Sequence, residues 1–162
     1  MNTQKLVYTS LLVALSFVGA HVTIAGSIAL DALPAFFGAL VLGPVYGVAI
    51  GMVGHFLSAM LSGFPLTLPL HLAITVAMGM TMLGFGYAHK VQRRLVVTAV
   101  VGVLLNAPLS FILIMAVAAV FMGRGSAFGL LGLFPMLLAA TVANVVGAIV
   151  LYKATKPLLQ IK

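Results

Sequence analysis

The sequence predicts an all-α membrane bundle of six transmembrane helices, and three observations lead there. Of 162 residues, 64% are hydrophobic and only 6% charged, where a soluble domain carries about 25% charged residues. The mean hydropathy is +1.31. A chain this short has no interior able to hide so much apolar surface from water, so its solvent must be lipid. The apolar runs are also broken by Gly, Pro and charge clusters at intervals suited to spans of about 20 residues. Eight basic residues stand against one acid, Asp31, for a formal charge of +7. The bases are scattered between apolar runs, which points to membrane topology and away from nucleic acid. Without cysteine there is no disulfide framework, thiolate metal site or thiol nucleophile.

The first span is expected over Lys5–Ala25. Its start looks like a secretory signal, but the apolar run is long and Val18-Gly19-Ala20 is a weak cleavage site before His21, so a retained helix is the better reading. The second span, Ala32–Leu42, is short, and the third, Pro44–Leu61, follows immediately after Gly43. Pro44 disfavours helical dihedrals at Gly43 and suits the first turn of a new helix, so two helices meeting at a tight turn are expected there. Spans at Thr67–Ala88, Arg94–Met122 and Phe128–Tyr152 complete the set. With the N-terminus inside, Lys5, Lys90, Arg93, Arg94, Lys153, Lys156 and Lys162 fall on the cytoplasmic side and only Arg124 outside. Fusing the second and third spans strands both Lys5 and Arg124, so the positive-inside rule favours six. The expectation is one transmembrane domain over 1–162, both termini cytoplasmic, with no repeat, linker or soluble domain. Small residues at four-residue spacing (Gly43, Gly47 and Gly51; Ala139, Ala143 and Gly147) read as helix-packing stripes. Ser10 and Ala14 form a similar face on the first span, with Val18 a bulkier continuation.

On this topology the polar side chains gather toward the outer side. His21, Thr23, Ser27 and Asp31 end the first span and its loop. His55, Ser58 and Ser62 share one face of the third span. Thr67 and His71 open the fourth, and Arg124 lies in the last outer loop. Asn106 and Asn144 sit near mid-depth. Ionisable groups at membrane depth cost roughly 2.5–3.5 kcal/mol on insertion scales, so they are normally turned inward and used. A neutral imidazole donates at one nitrogen and accepts at the other, which suits an uncharged polar ligand. Phe36, Phe37, Phe56 and Phe64 are candidates for flat apolar walls. Each residue also has a plainer reading. Asp31 before Ala32-Leu33-Pro34 suits an N-cap. His55 and Asn144 suit helix-to-helix bonds, Asn106 suits a carbonyl freed by Pro108, and Arg124 suits a solvated loop. The joint clustering is the signal.

Several engines are excluded. There is no G-x-x-x-x-G-K-[ST] phosphate loop, a single carboxylate rules out paired-acid hydrolysis, and no acid inside a span serves a proton- or sodium-driven carrier. No H-E-x-x-H or G-x-S-x-G occurs, so neither a metal nor a cofactor is expected; a Ser58–His55 dyad is the faint enzymatic alternative. What is left is a receptor that another protein must drive.

Three stretches carry a family resemblance: Gly26-Ser-Ile-Ala-Leu-Asp31-Ala-Leu-Pro34-Ala-Phe36, Leu42-Gly-Pro-Val-Tyr-Gly47, and Gly54-His55 through Ser62-Gly63-Phe64-Pro65-Leu66-Thr67 to Pro69-Leu-His71. With the six-helix plan, the whole chain resembles the substrate-binding S components of energy-coupling factor (ECF) vitamin transporters. The resemblance implies a multi-pass subunit of a bacterial plasma membrane. It would capture a vitamin or vitamin precursor from outside, with no catalysis of its own. Its partners would be a transmembrane scaffold subunit and two cytoplasmic ATPases. It also implies scaffold docking through the first helix, at Ser10, Ala14 and Val18, the last departing from the family's alanine pattern. The loops Ala25–Asp31 and Ser62–Thr67 would cover the ligand. The Leu-Asp-Ala-Leu-Pro and Gly-His…Ser-Gly-Phe-Pro stretches look most like the alpha-ribazole group, which salvages a benzimidazole nucleoside for cobalamin synthesis. Pantothenate, pyridoxine-like compounds and cobalamin stay open, as does a small non-transport membrane protein, either a Ser/His enzyme or a helix-packing scaffold. The candidate substrate-binding set is Asp31, Phe36, His55, Ser58, Ser62, Phe64, Thr67, His71, Asn106 and Arg124.

Overall fold

The computed structural model describes residues 3–21, 23–24 and 28–157. Ala25, Gly26 and Ser27 of the expected outer loop, and Lys162 of the expected cytoplasmic tail, lie outside the described residues. The chain runs α1 Thr3–His21, a two-residue antiparallel pair β1 Thr23–Ile24 and β2 Ile28–Ala29, α2 Leu33–Val41, α3 Pro44–Leu61 and α4 Leu68–Gln92. One rod follows, built of α5 Leu95–Leu104, a π turn Leu105–Leu109 and α6 Ser110–Phe121. The last rod joins α7 Arg124–Gly129, a 3-10 turn Leu130–Leu133 and α8 Phe134–Thr155. The fold is all-α apart from the short strand pair.

Among the described residues five stretches are long and apolar enough to cross a membrane: Thr3–His21, Pro44–Leu61, Leu68–Gln92, Leu95–Phe121 and Arg124–Thr155. The second predicted span is different. As α2 it has only nine residues, about 13 Å of helix, too short to cross by itself. Pro34, Ala35, Phe36, Gly38, Ala39 and Leu40 are all buried, as expected of a helix apolar on every side. α1, α3, α4 and α8 surround it, and Phe36 meets Phe85 edge-on with ring centroids 4.8 Å apart.

Lipid is as apolar as a leucine side chain, so these helices are held by close packing and polar bonds. A Cβ on Gly47 would lie 2.5 Å from that of Ala39, and one on Gly86 would lie 2.8 Å from Cα of Pro44. Gly54 leaves room for the side chain of Ser16, whose hydroxyl donates to the Asp31 carbonyl. The two predicted small-residue stripes divide by use. Gly43, at φ 111°, makes the α2–α3 turn, while Gly47 and Gly51 face neighbouring helices. On α8, Gly147 abuts Leu33, whereas Ala139 and Ala143 line an open apolar groove.

Candidate functional site

A cavity of about 290 Å³ opens where the α1–α2 segment, the α3–α4 turn, the π turn and α8 converge. Its walls are largely apolar, formed by side chains such as Met78, Phe111, Ile114, Leu133 and Leu137. Into them are set Asp31, His55, His71, Asn106, Ser110, Thr141 and Asn144.

Each polar group is held by local structure. The end of the α1–α2 segment is stitched on both sides: Leu30 N–H donates to the Gly19 carbonyl at 3.1 Å, and Asn144 Nδ2 donates to the Ala29 carbonyl at 2.8 Å. The cap of α2 is Ala32 without a side-chain bond, so Asp31 does not serve as its N-cap. The carboxylate faces His55 instead, with Oδ2 4.0 Å from Nδ1. The α3–α4 turn passes through positive φ at Gly63, Phe64 and Thr67. Non-glycine residues rarely adopt such dihedrals unless their surroundings fix them, and functional sites collect them. Here Thr67 N–H donates to the Phe64 carbonyl at 2.8 Å, and Leu66 N–H points to His71 Nε2 at 3.4 Å.

That last contact orders the histidines. A backbone amide can only donate, so His71 Nε2 accepts. A neutral His71 then carries its hydrogen on Nδ1, 3.4 Å from His55 Nε2, and donates it there. His55 in turn carries its hydrogen on Nδ1, on the side of Asp31. The two rings lie nearly parallel, 29° apart, with centroids separated by 5.5 Å. One directional pair of hydrogen bonds thus links the α3–α4 turn to His55, whose Nδ1 stands 4.0 Å from the Asp31 carboxylate.

Asn144 is polarised in the same way. Its Nδ2 donates to Ala29 O and, at 2.7 Å, to Ala140 O, using both amide hydrogens. Its Oδ1 is buried and has no partner among the described residues. Buried acceptors are nearly always satisfied, and this residue lines the cavity. Asn106 Nδ2 donates to Thr141 Oγ1 at 2.8 Å, turning its carbonyl oxygen to the accepting role. Pro108 opens the helix into the π turn, a distortion frequent at functional sites. The Ser110 hydroxyl, not Asn106, satisfies a carbonyl there, that of Leu105, at 2.7 Å.

Of the sequence-predicted residues, Asp31, His55, His71 and Asn106 come together at the cavity. The others are placed beside it or away from it. Phe36 is fully buried in the α2 core. The Ser58 hydroxyl donates to the Gly54 carbonyl at 2.9 Å, so it makes no bond to His55. Exposed Ser62 and Thr67 build the turn. Phe64 packs over His71 and Phe56 at centroid distances of 5.8 and 6.0 Å. Arg124 is exposed at the start of α7 and does not line the cavity. Phe111, Ser110, Thr141 and Asn144 were not in the predicted set. Pro108 is the signal that finds the first two, and the mid-depth amide on the last helix finds Asn144.

Chemically the cavity combines one carboxylate and neutral acceptors with no lysine or arginine among its lining residues. Among the described residues no group of three His, Cys, Asp or Glu side chains is arranged to hold a metal ion. The arrangement suits a small, partly planar molecule that is neutral or cationic and rich in O–H or N–H donors. In comparisons with known proteins, the family model described as "ECF transporter, substrate-specific component" matches residues 4–159. No curated protein and no solved structure matches the chain.

Proposed function

Because this chain belongs to the family of ECF transporter substrate-specific components, we propose that its cavity captures alpha-ribazole, a benzimidazole nucleoside. The family role is transport, not enzyme catalysis: a membrane subunit that binds a small-molecule substrate and works with a scaffold and ATPases. The observation that carries the choice of cargo is the polarity of the cavity. Acceptors at Asp31 and Asn144 call for ribose hydroxyls, and the apolar walls around Phe111 call for an aromatic ring. The absence of a cation from the lining disfavours the carboxylate of pantothenate. A volume of about 290 Å³ sits at the small end of ligand pockets, roughly 300–1,000 Å³, and favours a nucleoside over a whole corrinoid.

The decisive experiment is a thermal-shift panel on the detergent-purified chain with alpha-ribazole, dimethylbenzimidazole, pyridoxine, pantothenate and cobalamin. A ligand at 100 times its Kd stabilises by about 2.7 kcal/mol. Alpha-ribazole should give the largest shift and pantothenate none. A larger response to pantothenate or cobalamin would overturn the assignment.

In this reading the protein lies in a bacterial plasma membrane. Both termini and the α4–α5 turn face the cytoplasm, where Lys90, Arg93, Arg94, Lys153 and Lys156 gather, and α2 counts as a sixth, incomplete pass. Ser10, Ala14 and Val18 are all exposed on α1 and form the scaffold-docking face. Ala14→Trp is expected to abolish co-purification with the scaffold while leaving the substrate-induced thermal shift intact. Normal complex formation by that variant would move docking elsewhere.

A further inference from the structure

The end of the bundle away from Asp31 holds a second cavity, of about 450 Å³. It is walled by the α2–α3 turn at Leu42, Gly43 and Pro44, by the end of α4, by Tyr152 of α8 and by Lys156 just beyond that helix. His55 and Pro44 are eleven residues apart on α3, about 16 Å of helix, and His71 and His89 about 27 Å apart on α4. The two cavities therefore occupy opposite ends of the same helices.

Lys90, Arg93 and Lys156 share this one cavity. The chain's only acidic side chain, Asp31, lines the other. Topology alone asks for cations at this end but does not ask three of them to converge, because like charges brought together repel. One further feature favours an anion. α5 begins at the cavity wall, at Leu95, without a side-chain cap, and a helix start carries free amides and the positive end of the dipole; Pro44, which opens α3 at the same wall, adds no N–H of its own. His89 also lines the cavity, with its Nε2 3.4 Å from the Tyr152 hydroxyl.

We infer that this cavity binds a phosphate group, with Arg93 as the planar fork and Lys90 and Lys156 as point charges. The source the surroundings favour is the headgroup of an anionic phospholipid. Val91 and Val96, on either side of the Arg93 turn, are 73% and 77% exposed and offer acyl chains an apolar flank. Basic pockets between membrane helices hold anionic headgroups in this way.

The test titrates the purified full chain in detergent with dioleoyl-phosphatidylglycerol, dioleoyl-phosphatidylcholine or inorganic phosphate and follows the melting temperature. Phosphatidylglycerol should act at a concentration at least tenfold lower than phosphatidylcholine. The double variant Arg93→Gln/Lys156→Gln should lose that preference, and the single variant Lys90→Gln should weaken it. Lys153→Gln, an exposed cation outside the cavity, should keep it. Inorganic phosphate matching the lipid's effect, and lost in the same variants, would overturn the lipid as source and keep the phosphate site. Equal responses to both lipids, or a preference that survives in the double variant, would overturn the site and leave an acidic partner segment as the occupant of this surface.

Discussion

Asn144→Asp, nearly isosteric with the wild type, is expected to abolish substrate binding and to lower the melting temperature of the empty protein. The side chain is 2% exposed, and its amide hydrogens are spent on the carbonyls of Ala29 and Ala140. A carboxylate has no hydrogen to give and would face two carbonyl oxygens at 2.7–2.8 Å. Each buried polar group left unsatisfied costs about 1–3 kcal/mol, and a buried unpaired charge costs more. Releasing Ala29 also loosens the segment that delivers Asp31. Asn144→Ala separates the two effects. It removes the donors without adding charge, so stability should fall by only about 1–2 kcal/mol. It also removes the waiting Oδ1 acceptor, so affinity should fall by at least about tenfold, or 1.4 kcal/mol. Melting curves with and without alpha-ribazole read both quantities. An Asn144→Ala protein that binds as the wild type does would take this residue out of the site.

Asn144 also shows where sequence reasoning stops. Its mid-depth position was legible, but its polarity depends on Ala29, 115 residues away in the chain, and no local pattern records that pairing. Elements governed by local rules came through. Pro44 after Gly43 marks a real break, Pro108 a real helix distortion, and the i, i+3 and i+4 spacing did put Ser58 on the His55 side of α3. What fails is the step from face to cavity, because a helix face can turn toward a neighbour's backbone. Ser58 found the Gly54 carbonyl one turn back. Phe36 was expected as a ligand wall because phenylalanine is flat and apolar, yet those same properties make it the centre of the α2 core. The length of α2 was legible as short; that it would be buried by four other helices was not, since its surroundings lie far off in sequence.

Loss of either imidazole from the His55–His71 pair is expected to weaken substrate binding by roughly 10- to 100-fold, about 1.4–2.8 kcal/mol, and the two losses should not add. His71 reads the α3–α4 turn through Leu66 N–H and passes a fixed hydrogen-bond direction to His55, which presents Nδ1–H toward Asp31. Removing His71 leaves His55 free to adopt the opposite tautomer, and removing His55 leaves Asp31 without its partner. Either change breaks the same chain, so the double variant His55→Ala/His71→Ala should be little worse than the poorer single one. Groups that belong to one network couple by about 0.5–3 kcal/mol in a double-mutant cycle, and cavity networks can exceed their pairwise sum. His71→Gln is the informative companion, because an amide can also accept from one side and donate on the other; partial recovery relative to alanine would identify the hydrogen-bond direction, rather than ring stacking, as what the site needs. Strict additivity of the two alanine variants would mean that the histidines act separately, and the link between the turn and His55 would then have to be withdrawn.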